Sequence, residues 1–66
     1  MNLVVNGEPE AVDDGATVAQ LVASLGCGTK GVAVAVNETV VPRSIWPVHR
    51  LESGDRVEIL NAAQGG

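Results

Sequence analysis

Phenylalanine and tyrosine are absent from this chain, and Trp46 is its only aromatic residue. Without a row of aromatic side chains there is no platform on which nucleic-acid bases can stack. Basic residues are scarce as well: Lys30, Arg43, Arg50 and Arg56 stand scattered against eight acidic residues, for a formal charge of −4. The phosphates of a nucleic acid would be repelled in sum, whereas a protein partner with a basic face would be attracted. The single cysteine, Cys27, excludes an internal disulfide, gives no sign of an oxidising compartment and lacks the second ligand of a metal pair. A single histidine, His49, and no tyrosine leave little from which to build a catalytic pocket. No stretch reaches membrane-spanning length, and residues 1–6 hold neither a basic leader nor a long apolar run, so a soluble, cytoplasmic protein with no membrane partner is expected. Sixty-six residues have room for one domain with one small core.

What the chain does have is a distinctive end. Val57, Ile59 and Leu60 belong to an apolar strand-like run, which fades into Asn61-Ala62-Ala63-Gln64-Gly65-Gly66. The run can be anchored in a sheet, while the last residues have almost no side chain to bury, so a domain over 1–61 and a flexible tail over 62–66 are expected. Two glycines in succession lack any Cβ and can enter a narrow channel without steric cost. Such a tail can carry its terminal carboxylate into the active site of another protein.

The rest of the chain reads as a scaffold for that end. Residues 3–6 are apolar and largely β-branched, and Asn6-Gly7 is a strong hairpin-turn signal, so residues 8–12 return as a second strand with Pro9 at an edge. Thr17-Val18-Ala19-Gln20 fits a capping box, and Val18, Leu21, Val22 and Leu25 form one apolar stripe on a helix over 18–25 that Gly26 ends. A helix that short is unstable alone and must lie across a sheet. Gly26 and Gly28 are not a nucleotide-binding fingerprint, because a phosphate loop needs a strand before it and a helix after it. Residues 31–37 alternate valine and alanine as an interior strand beneath the helix. Asn37-Glu38 turns the chain into a short strand over 39–41, and Pro42 starts a helical turn anchored by Trp46 and checked by Pro47. Arg50 and Leu51 form a brief strand, and Ser53-Gly54-Asp55 turns into the last strand, 56–60.

The order predicts an α+β fold: a mixed sheet of four to five strands with one helix packed across it, the arrangement of the ubiquitin-like β-grasp. In it the helical crossover delivers the third strand parallel to the first, and the apolar last strand takes a central place beside the first.

Val34-Ala35-Val36-Asn37, then Val41-Pro42-Arg43-Ser44-Ile45-Trp46, Gly54-Asp55 and the terminal Gly65-Gly66 carry a resemblance that spans the whole chain. In this order and at this length they resemble the ThiS group of bacterial sulfur carrier proteins, ubiquitin-like proteins of thiamine (thiazole) biosynthesis. The resemblance implies a carrier, not an enzyme. A ubiquitin-activating-like enzyme would adenylate the Gly66 carboxylate with ATP, a cysteine-derived persulfide donor would convert it to a thiocarboxylate, and thiazole synthase would receive the sulfur. Gly65 and Gly66 would carry the function, with no catalytic residue, no metal and no cofactor bound to the carrier itself. Ala62 and Ala63 depart from the bulkier apolar residue that relatives often have there.

The chemistry agrees with this assignment. A carboxylate is a poor electrophile, so exchanging its oxygen for sulfur requires a leaving group, which a mixed anhydride with AMP supplies. The product thioacid is ionised at neutral pH and is a soft sulfur nucleophile. Docking on the last strand would place the tail directly; a partner would meet Val57 and Ile59, or Glu58 and Leu60, whichever set faces out. Val57, Ile59 and Gln64 are the candidate partner-binding residues. Cys27 reads as packing, His49 as a surface residue, Asp13-Asp14 as a solvated turn before the helix, and Arg43 and Arg56 as exposed cations paired within the chain. The rival readings are a related carrier for molybdopterin or another metabolite, a protein-conjugation tag, and a plain interaction module.

Overall fold

The structure is a computed structural model, and it describes residues 1–26 and 30–61. Five strands form one sheet: β1 (Asn2–Val5), β2 (Glu8–Ala11), β3 (Val32–Val36), β4 (Thr39–Val41) and β5 (Arg56–Asn61). One helix, α1 (Val18–Leu25), lies between β2 and β3 in the chain, and Arg43–Ile45 form a 3-10 turn. The strand order across the sheet is β2-β1-β5-β3-β4. The last strand therefore occupies the centre. It runs parallel to β1, with Val5 opposite Val57, and antiparallel to β3, with Val34 opposite Ile59.

The expected direction of the third strand needs correction. β3 is antiparallel to β5, and β5 is parallel to β1, so β3 runs against β1 rather than with it. The crossover helix departs from β2, not from β1. Its parallel partner is accordingly β2, which lies on the far side of the sheet. Pro9 stands on β2, an edge strand, where its missing amide hydrogen costs no interior ladder bond.

Local chemistry accounts for the helix. Thr17 Oγ1 accepts from the Gln20 amide at 3.2 Å, and Gln20 Oε1 accepts from the Thr17 amide at 2.8 Å, completing the capping box. The two remaining free amides at the helix start are met from a distant loop: Val18 N–H donates to the His49 carbonyl and Ala19 N–H to the Trp46 carbonyl. Gly26, at φ 71°, ends the helix in the left-handed conformation that glycine tolerates best.

Val18, Leu21 and Val22 face inward and join Leu3, Val32, Val34, Val36, Val41, Trp46, Leu51 and Val57 in one apolar cluster. Leu25, expected on the same stripe, is 38% exposed because the last turn of the helix overhangs this cluster. Trp46 is buried, donates its indole N–H to the Val41 carbonyl at 2.9 Å and lies beneath the Arg43 guanidinium, 5.3 Å from the ring centre. It closes one end of the core, as the residues around Pro42 and Pro47 suggest. Arg50 makes only an isolated bridge with Thr17 rather than a strand, and the buried Leu51 is held by its N–H, which donates to the Ala16 carbonyl at 2.8 Å. No helix among the described residues is long and apolar enough to cross a membrane.

Candidate functional site

The residues that carry the expected chemistry, Gly65 and Gly66, lie outside the described residues, as do Gln64, Cys27 and the whole expected tail over 62–66. The site that the structure describes is the strand leading to them. β5 is the central strand of the sheet, with β1 parallel on one side and β3 antiparallel on the other. Its last residue, Asn61, stands opposite Val32, so β3 supports the strand to its end.

Two asparagines bracket β5 from the two hairpins. Asn6, where β1 turns away, has φ 51° and a carboxamide that meets both backbone groups of Ile59: Oδ1 accepts from the Ile59 amide at 2.8 Å, and Nδ2 donates to its carbonyl at 3.2 Å. Asn37, where β3 turns into β4, also has φ 51°. Its Oδ1 accepts from the Arg56 amide at 2.9 Å, and its Nδ2 donates to Asp55 Oδ1 at 3.0 Å. Asp55 in turn accepts from the Glu52 amide through Oδ2 at 2.8 Å, and Gly54 adopts φ 88° between them, so Gly54-Asp55 forms the turn that aims β5. Sequence reading recognised both asparagines only as turn residues. Their equivalent positions, each directly after a valine-rich strand, were the available signal.

The inward and outward faces of β5 follow from register. Val57 is 1% exposed and belongs to the core, and Ile59 is half-buried against it. Val57 is thus corrected from a partner-binding candidate to a core residue, since a side chain sealed beneath α1 cannot meet a partner, and Ile59 turns toward the same side. The outward set is Arg56, Glu58 and Leu60, and Leu60 is 68% exposed. Register places Ala33 beside Leu60, and Ala35 beside both Glu58 and Val40, whose side chain is 72% exposed. The outer face of β5, β3 and β4 therefore carries the small Ala33 and Ala35 beside two projecting aliphatic side chains, Leu60 and Val40, with the charged Glu58 and Arg56 further back along β5.

Of the other candidates, only Arg56 lies on this strand. Arg56 stands 3.9 Å from Glu38, an exposed pair worth little, and Arg43 covers Trp46 and reaches the Val32 carbonyl at 3.4 Å. Asp14 pairs with the N-terminal ammonium at 3.1 Å. His49 is half-buried, and its backbone is held by Ile45 and Val18. A groove of about 610 Å³ between residues 11–16 and α1, lined by Asp13, Asp14, Gln20 and Ser24, opens at the end of the sheet opposite to where β5 runs out. Among the described residues no group of three His, Cys, Asp or Glu side chains is placed to hold a metal ion.

Comparison with known proteins covers the chain nearly end to end. Residues 3–66 match the ThiS family. The chain is 30% identical over 66 residues to the sulfur carrier protein ThiS of Escherichia coli, covering all of both chains. It is 36% identical over its full length to part of a thiazole synthase from Paramagnetospirillum magneticum, of which it spans 20%. The crystal structure of the thiamine biosynthesis protein ThiS from Geobacter metallireducens superimposes with a TM-score of 0.81 at 35% identity, covering 91% of each chain.

Proposed function

The chain belongs to the ThiS family, and on that premise we propose that it is a cytoplasmic sulfur carrier of thiamine biosynthesis, a covalent co-substrate whose reactive group is the Gly66 carboxylate. The observation that carries this reading is the central β5 strand, paired with β1 through Val57 and with β3 as far as Asn61, five residues before Gly66 in the sequence. Residues 62–66, fully extended, span at most about 17 Å, enough to bring the carboxylate into a recessed active site while the domain stays outside it.

Loading runs in three steps on partner enzymes. A carboxylate oxygen of Gly66 attacks the α-phosphate of ATP and pyrophosphate leaves, giving the acyl adenylate. The terminal sulfur of a cysteine-derived persulfide attacks the acyl carbon, and AMP leaves with the oxygen. A second thiol then attacks the donor sulfur of the acyl disulfide and releases the thiocarboxylate, leaving a disulfide on the donor side. The carrier contributes position rather than catalysis, and ATP is bound by the activating enzyme. That enzyme docks on the outer face around Leu60 and Val40, next to the strand that leads to the reacting end; Gln64, further along, contacts the channel it enters. Similarity of the whole chain to one fifth of a thiazole synthase supports that synthase as the acceptor, since joining donor and acceptor raises their effective concentration.

The test is the intact mass after incubation with ATP, the activating enzyme and a persulfide source. A gain equal to exchange of one carboxyl oxygen for sulfur, absent from a chain lacking Gly66, is expected. An unchanged mass with an active partner system refutes the reading, and high-mass adducts through lysine would replace it with protein conjugation.

A further inference from the structure

Where β1 ends, β5 still has four residues to run beyond Val57, the last position paired with β1. The main-chain ladder on that side closes with Asn6 N–H donating to the Val57 carbonyl at 2.9 Å. A further parallel rung would need a carbonyl to accept from the Ile59 amide and an amide to donate to its carbonyl. The backbone cannot supply them, because Asn6-Gly7 turns away with φ 51° and 84°. The Asn6 carboxamide has one acceptor and a donor side by side, as a peptide group does, and it meets both needs at 2.8 and 3.2 Å. The partners are 53 residues apart in sequence, so this is a tertiary device and not a turn motif.

We infer that Asn6 is a positioning residue for sulfur loading: its carboxamide extends the β1–β5 ladder by one rung and fixes the direction in which β5 hands the chain on to Gly66. The inference rests on the carrier reading above. After Ile59 only Leu60 and Asn61 of the strand remain, so the Asn6 bonds act two residues from the end of β5. Attack on ATP requires the carboxylate within a narrow range of distance and angle, and small misplacements at a reacting centre cost disproportionately in rate. Asn37 provides the internal comparison. It has the same φ and the same kind of side-chain bond, but it holds Arg56 at the beginning of β5, away from the reacting end.

The test compares Asn6→Gly with Asn37→Gly. Glycine accepts the positive φ and removes only the carboxamide. In Asn6→Gly, hydrogen exchange at the Ile59 amide should quicken by about tenfold, the order expected for losing such bonds. Loading by the activating enzyme, followed by intact mass, should show a kcat lower by roughly five- to tenfold with KM little changed, because the docking face is intact. Asn37→Gly, with each chain assayed at the same interval below its own melting temperature, should load at the rate of the unaltered chain. Equal loading by all three chains, or equal losses in both variants, overturns the inference while leaving the carrier reading in place. An unaltered chain that gains no sulfur overturns the carrier reading and this inference with it.

Discussion

Val57 and Leu60 lie on one strand and face opposite ways, so substituting each should separate docking from folding. Leu60 is 68% exposed, and its side chain touches little that would be lost on removal. Full burial of a leucine is worth about 1.5–3 kcal/mol, so covering the exposed two thirds of Leu60 against the activating enzyme contributes about 1–2 kcal/mol. Leu60→Asp forfeits that amount and sets a carboxylate on the docking face, raising KM for adenylation by at least about 5- to 30-fold. The melting temperature should move little, since an exposed substitution changes stability by within about 0.5 kcal/mol. Val57→Ala is the counterpart. The side chain is 1% exposed in the core, and its truncation costs about 2 kcal/mol against a total of roughly 3–10 kcal/mol for a chain of this size. Its melting temperature should fall by about 8–16 °C, while KM at a temperature where it remains folded stays within about twofold. Pyrophosphate release measures KM, and thermal unfolding followed by circular dichroism measures stability. An unchanged KM for Leu60→Asp would refute the assignment of the docking face. A cooperative melt of Val57→Ala at the original temperature would refute the placement of the core.

Two further predictions concern stability. Trp46→Phe removes the indole donor to the Val41 carbonyl and part of the buried ring, so it should cost about 1–3 kcal/mol in denaturant unfolding; an unchanged midpoint would mean that Trp46 does not anchor that end of the core. Glu38 has φ 72° in the β3–β4 turn, a conformation that costs a residue with a Cβ about 1 kcal/mol, and its contact with Arg56 is long and exposed. Glu38→Gly should therefore raise the melting temperature by about 3–6 °C, and a lower value would show that the ion pair outweighs the backbone strain.

Much of the fold was legible because it is written in short-range chemistry. The helix boundaries at Val18 and Leu25 follow from Thr17, Gln20 and Gly26, residues that act on backbone groups within one turn. The hairpins follow from Asn6-Gly7 and Asn37-Glu38, which favour positive φ, and the strand over Thr39–Val41 from β-branched residues ended by Pro42. The end of the chain and its family resemblance likewise pointed directly to Gly65 and Gly66 as the candidate reactive group.

Tertiary structure decided whatever depends on a partner far along the chain. Period-two alternation divides β5 into Val57 with Ile59 and Glu58 with Leu60, yet both sets contain an aliphatic residue, and only the register against β1 and β3 determines which is buried. The direction of β3 depends on which strand the crossover leaves, a property of the whole sheet and not of residues 32–36. The roles of Asn6 toward Ile59 and of Asn37 toward Arg56 required the two hairpins to close around the last strand to be made. Sequence alone determined the helix, the five strands and their order, though not the single bridge at Arg50, because propensity, capping and turn geometry are local. Facing, direction and the bracing of β5 came from packing, because burial and cross-strand hydrogen bonds exist only once distant segments meet.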